Sequence, residues 1–149
     1  MSVRRQTEVN FSWEEVLSFE GETGPYLQYT HARLSSLLRN HEHDVTKDID
    51  YSLLNNPEEK RVVELLADFP DAIVDAARLY DPNLIANHLI QLAGAFNKFY
   101  QRKDSEGRID KIISDNEKLT NARIALVKSV QIVIKEGLRL LGIQAPEAM

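Results

Sequence analysis

Apolar residues recur along this chain at spacings of three and four, and no stretch alternates apolar and polar positions for more than a few residues. The pattern predicts helix almost throughout. Ser12 is a good N-cap, and Glu15 three residues later completes a capping box. Trp13, Val16, Leu17 and Phe19 supply the apolar side of that first element. Gly21 and Gly24 break the chain. Pro25 then opens a helix to about Arg39, because its missing N–H is not needed in a first turn. Leu27, Leu34, Leu37 and Leu38 of this helix turn toward a core. The polar residues 40–56 read as a loop with a short turn near Asp50 to Leu54. Asn56 and Pro57 start the next helix, with Glu58 and Glu59 at its positive end and Val62, Val63, Leu65 and Leu66 on its apolar face.

Pro70 is expected to interrupt that helix and to open a short one toward Leu79. Asp81 and Pro82 repeat the start signal. Leu84, Ile85, Leu89, Leu92, Ala93, Phe96 and Tyr100 follow at helical spacing. The charged tract from Lys103 to Asn116 contains Gly107 and reads as a loop with one turn around Asp110 to Ile113. The last helix runs from about Glu117 to Leu141, with Leu119, Ala122, Leu126, Val130, Val133 and Leu138 as its stripe and Gly142 as its stop. Gly137 lies inside it at ~1 kcal/mol relative to alanine, which a close helix–helix contact would explain. About six helices around one core make an all-α fold, a single helical bundle over residues 1–149.

Composition narrows the chemistry. A chain of 149 residues is long enough for one sizeable core. It holds no cysteine, which excludes disulfides, thiolate metal sites and cysteine nucleophiles. No apolar run is long enough to span a membrane, and the first ten residues lack the apolar core of a secretory signal, so a cytoplasmic protein with no membrane partner is expected. The net charge of −5 argues mildly against nucleic-acid binding. It is unevenly spread, however. Residues 1–75 carry 7 basic and 15 acidic side chains, whereas residues 76–149 carry 11 basic and 8 acidic.

His41, Glu42, His43 and Asp44 form a short cluster, but adjacent loop residues point different ways and no metal site is expected there. His88, beside Asn87, reads as a partly buried polar neighbour. Hydrolase, phosphate-loop and dinucleotide-binding motifs are absent. The pairs Glu14–Glu15 and Glu58–Glu59 suit exposed first turns of helices. No self-contained catalytic site emerges, and no cofactor is expected within this chain.

The segment Gly21 to Arg33 stands apart. On a helix starting at Pro25, Tyr26, Tyr29 and Arg33 lie three and four apart and share a face. Two rings and a guanidinium make a platform for an unstacked base, with forked donors and a phosphate-attracting charge. Spacing alone favours a plainer reading, in which both tyrosines cap the core with their hydroxyls wet.

The same segment, Gly-Glu-Thr-Gly-Pro-Tyr-Leu-Gln-Tyr-Thr-His-Ala-Arg, closely resembles a signature of arginyl-tRNA synthetases. The lead-in Phe11 to Phe19, the pair Arg4–Arg5, Tyr80-Asp81-Pro82, Phe96 to Tyr100, Ala122 to Val127, Gly137 to Ile143 and the ending Ala145 to Met149 are also similar to that family. The resemblance implies the α-helical, DALR-type C-terminal anticodon-binding domain of a class I synthetase, with residues 1–20 resembling the connection from a catalytic domain. It implies an arginine–tRNA ligase as the parent enzyme, with the ATP- and Mg²⁺-dependent chemistry lying upstream, so the 149 residues by themselves are expected to be inactive.

The expected partners are the anticodon stem-loop of an arginine tRNA and the enzyme's own catalytic domain, with a monomer as the expected state. By resemblance, Tyr26, Tyr29 and Arg33 line the pocket for the middle anticodon base, and Met149 approaches the anticodon loop. Tyr100 or its neighbour Phe96 adds a second stacking surface. Lys98, Arg102, Lys103 and Arg123 are candidate contacts to the tRNA backbone. Ala148 stands where the family often has arginine, and Asn121 where an aspartate is common. The alternative is a helical protein-interaction module with no RNA role, which the acidic net charge supports.

Overall fold

Each long helix opens on a side-chain oxygen that satisfies a first-turn N–H, a local chemistry that the sequence carries on its own. The computed structural model describes residues 12–18, 21, 23–40, 49–104 and 106–149. Thr23 accepts from the Tyr26 N–H at 3.2 Å and starts α2, Gly24–Arg39. Asn56 and Glu59 bond reciprocally at 2.8 and 3.2 Å and start α3, Pro57–Leu79. The Asp81 carboxylate accepts from the Asn83 N–H at 3.3 Å ahead of α4, Asn83–Tyr100. Asn116 accepts from the Leu119 N–H at 3.2 Å and starts α5, Glu117–Leu140. A one-turn helix, α1 (Trp13–Val16), precedes them, and a 3₁₀ turn at Tyr51–Leu53 falls where the short turn was expected.

The described residues thus hold four long helices rather than about six. The difference lies at Pro70, which interrupts nothing: α3 runs unbroken for 23 residues. Pro70 sits on the exposed side, where the carbonyl it leaves without a partner can be hydrated. Val62, Leu65, Phe69 and Ala76 bury one continuous face on both sides of it. At about 1.5–3 kcal/mol for each large buried side chain, that face outweighs the ~3 kcal/mol cost of the proline.

The first element departs from expectation in another way. Trp13 and Leu17 are exposed rather than buried. Phe11, Phe19 and the side chains of Glu15 and Val16, on which the expected capping box and apolar side also depend, lie outside the described residues.

α4 and α5 each pack on the other three long helices and carry most of the core, including Leu89, Leu92, Phe96 and Phe99 from α4 and Val127, Val130, Ile134 and Leu138 from α5. Gly137 lies where Leu89 of α4 packs directly against the α5 backbone. A Cβ there would stand 2.5 Å from Leu89 Cδ2, so the glycine is the helix–helix contact that its place in a helix called for. Gly142 turns out of α5 at φ +73°, and the Ile143 N–H closes the end on the Leu138 carbonyl at 2.9 Å.

The chain then runs back along α2 as a strap. Gln28 donates to the Gln144 carbonyl at 2.9 Å, His31 Nδ1 to the Pro146 carbonyl at 2.8 Å, and Arg39 to the Glu147 carbonyl at 2.9 Å. His31 is completely buried beneath it.

Candidate nucleic-acid interface

The start of α2 at Gly24 and Pro25 sets the register that places Tyr26, Tyr29 and Arg33 toward the C-terminal end of α4. There Asn97 donates from Nδ2 to the Tyr26 hydroxyl at 2.8 Å and accepts on Oδ1 from Arg33 at 3.3 Å. Arg33 also donates to the Tyr29 hydroxyl at 3.3 Å. Its guanidinium carbon lies 5.2 Å from the Tyr29 ring centroid and 5.3 Å from that of Tyr100, within cation–π range of both. Tyr29 is 40% exposed. Among the described residues no carboxylate pairs with Arg33, which lies half-buried against the two rings.

Phe96 and Tyr100 separate clearly. Phe96 is fully buried and backs the Tyr100 ring from inside at a centroid distance of 6.0 Å. Of the two, Tyr100 is the one that offers a ring outward.

Met149 is exposed. The strap that leads to it bonds Gln28, His31 and Arg39, which lie nearly opposite Tyr26, Tyr29 and Arg33 on the helical wheel of α2. No described contact joins it to the aromatic cluster.

The four cationic candidates divide. Lys98 and Lys103 are exposed, and Lys98 shares a shallow cavity of about 150 Å³ with Pro57, Glu58, Arg61 and Ala95. Arg102 is committed to two carboxylates, Glu58 at 3.1 Å and Asp110.

Arg123 is not a backbone contact. It is 4% exposed, donates to Glu59 at 2.7 Å, to both oxygens of Asp110 at 2.9 Å and to the Lys111 carbonyl at 2.8 Å, and lies 5.9 Å from the Phe99 ring. Glu59, expected on an exposed first turn, is likewise buried. The hydrogen bond from Arg123 holds the Asp110 carboxyl below the ordinary carboxylate range against the opposing effect of burial, with Arg102 adding to it. Burial works against the Arg123 charge, but its bonds to Asp110 and Glu59 raise its pKa further.

The hairpin-like turn at Lys103–Ile109, with Gly107 at φ +76°, is what delivers Asp110 to this network. Asp110 and Asn97 were not legible as partners in the sequence. Asn97 carries one signal, its place three residues before Tyr100 on the same face of α4. His88 bonds the Leu65 carbonyl at 2.8 Å, a partly buried polar neighbour as expected. The cluster His41 to Asp44 lies outside the described residues, and among those described no group of three His, Asp or Glu side chains could hold a metal. No helix of the described residues is long and apolar enough to cross a membrane.

The described residues form an all-helical bundle that presents a guanidinium between tyrosines. The chain belongs to the DALR anticodon-binding domain family, whose model matches residues 27–149. It is 45% identical over 139 residues to an arginine–tRNA ligase of Halothermothrix orenii, covering 93% of this chain and 23% of that protein. It is 42% identical over its full 149 residues to the corresponding ligase of Alkaliphilus metalliredigens, covering 25% of it. Among solved structures, Thermus thermophilus arginyl-tRNA synthetase superposes with a TM-score of 0.90 at 36% identity over 99% of this chain and 25% of that one. The Plasmodium falciparum enzyme, at 22% identity and a TM-score of 0.82, shows the shared fold. The chain spans about a quarter of the length of these relatives, in the region that is their anticodon-binding domain.

Proposed function

We propose that this chain reads the anticodon loop of an arginine tRNA through the face made by Tyr26, Tyr29, Arg33 and Tyr100. The observation that carries the reading is the guanidinium held between two rings by neutral partners, Asn97 and Tyr29. It offers forked donors to a base edge while the rings offer stacking surfaces. Lys98 and Lys103 supply exposed charge for phosphates. Met149, exposed at the end of the strap, offers its thioether as a further contact to the loop. Within a full-length ligase, ATP, Mg²⁺ and the esterification of arginine belong to the catalytic part. This domain supplies tRNA recognition there, as a monomer in the cytoplasm.

The test is a titration of the chain with an arginine tRNA transcript and with one altered only at the middle anticodon base, each at low and moderate salt. Tighter binding of the first, weakening with salt, supports base reading by this domain. Equal binding to both leaves only an electrostatic surface. Absence of binding to either sinks autonomous recognition. Salt-insensitive capture of a protein partner in place of RNA favours the interaction-module reading, for which the exposed Trp13 and Leu17 are the structural support.

A further inference from the structure

The strap over α2 is held by Gln28, His31 and Arg39, and a further bond ties Glu147 to Lys135 of α5 at 3.1 Å. Of these side chains His31 is the fully buried one. A carbonyl can only accept, so Nδ1 carries the proton that bonds Pro146. That leaves Nε2 buried, and among the described residues it finds no partner. An orphaned buried nitrogen costs stability that an apolar side chain of similar size would not. What the imidazole supplies instead is a fixed point for the strap.

The strap leaves α5 from a closed end, with Gly142 at φ +73° and the Ile143 N–H on the Leu138 carbonyl. It therefore ties α2 to α5, and Gln131 of α5 adds a buried bond to Ser35 of α2 at 2.8 Å. The other side of α2 carries Tyr26, Tyr29 and Arg33, whereas Asn97 and Tyr100 stand on α4. The binding face is thus split between two helices. Arg33 keeps its 5.3 Å distance to the Tyr100 ring and its 3.3 Å bond to Asn97 only if α2 does not slide. We propose that His31 is a positioning residue, which holds residues 144–147 as a splint on α2 and so keeps the two halves of the face aligned for RNA. This rests on the reading that the face binds an anticodon loop. With the splint released, α2 occupies the binding position for only part of the time, and apparent affinity falls by that fraction.

The experiment titrates an arginine tRNA anticodon stem-loop into the chain and its variants, with urea unfolding to report stability. The chain has no cysteine, so a nitroxide on Ala148→Cys, an exposed site, shows by its spectrum whether the strap is docked. His31→Leu is expected to free the label and to weaken RNA binding about fivefold, with stability unchanged or raised because no nitrogen is left orphaned. His31→Asn keeps a donor near the Nδ1 position and should restore both the docked spectrum and the affinity. Gln28→Ala combined with Glu147→Ala removes two exposed strap bonds and carries the test if His31→Leu does not fold. It also deletes a negative charge, which alone would strengthen RNA binding, so weaker binding there reports the strap.

A folded His31→Leu chain that keeps the strap docked, or that releases it and binds RNA as tightly as before, overturns the proposal. Equal loss of binding in His31→Asn does so too, since the donor is then not what matters. Met149→Ala is the control for the thioether: if it weakens binding as much as His31→Leu, the strap acts by presenting Met149 and not through α2, and the proposal falls. An unsubstituted chain that binds no stem-loop overturns the anticodon reading itself, and is seen before any variant is compared.

Discussion

Arg33 and Arg123 are the same residue type in opposite surroundings. Arg123 is buried and bonded to Glu59 and Asp110, with Arg102, Glu58 and the turn at Lys103–Ile109 completing the ring of charges. Arg33 is half-buried and bonded to an amide and a phenol, with aromatic faces where Arg123 has carboxylates. A cation matched by anions holds the fold together and has no charge left over for a ligand. A cation held by neutral groups is oriented without being cancelled, and keeps its attraction for an anion or an electron-rich edge. Burial differs too, Arg123 being 4% exposed and Arg33 half-buried, but it does not by itself decide which cation stays available. The charge of the neighbours does.

The comparison breaks most sharply at Arg123. Arg123→Met leaves Glu59 buried without its counterion and is expected to destabilise the fold by ~3–5 kcal/mol in urea unfolding, with unchanged RNA affinity per folded molecule. Preserved stability would remove the network from its structural role. Arg33→Ala should show the converse. RNA affinity is expected to fall by ~1–3 kcal/mol while stability falls by no more than about 1 kcal/mol, and Tyr29→Ala should match it on binding. If Arg33→Ala instead unfolds the chain and leaves binding intact, the assignment of roles is reversed.

Acid addresses one carboxylate of the Arg123 network. The folded state depresses the Asp110 pKa, so as pH falls the unfolded chain takes up this proton first. Stability should be fully present above the ordinary carboxylate range and should be lost as pH drops through that range and beneath it. Asp110→Asn should flatten this part of the pH profile in thermal melts. The smallest expected effect is at Gly137. Gly137→Ala gains up to ~1 kcal/mol of helix propensity but drives a methyl into the buried Leu89, so a net loss of about 1 kcal/mol is expected by chemical denaturation. Gained stability would show that Leu89 has room to move.

What was legible in the sequence follows the range of the interactions. Helix starts at Pro25, Asn56 and Asp81 were readable because capping is decided within three or four residues. The shared face of Tyr26, Tyr29 and Arg33 was readable because it depends only on helix pitch. The passage of α3 through Pro70 was not, because burial of Phe69 and Ala76 against other helices decides it. Arg123 read as a surface cation because its partners Glu59 and Asp110 come from a different helix and from a loop. Asn97 was hidden for the same reason: its importance lies in what α2 brings to it. Phe96 and Tyr100, indistinguishable by type, were separated only by the packing of α4.

The strap along α2 bears on the order in which the molecule is completed. Its bonds join residues 116, 115 and 108 positions apart. During synthesis α2 emerges from the ribosome long before the residues that cover His31 have been made, and it waits with that side open. The contacts of longest sequence separation close last. In a growing chain the two sides of α2 therefore mature at different times, and final closure of the domain awaits the arrival of residues 144–147.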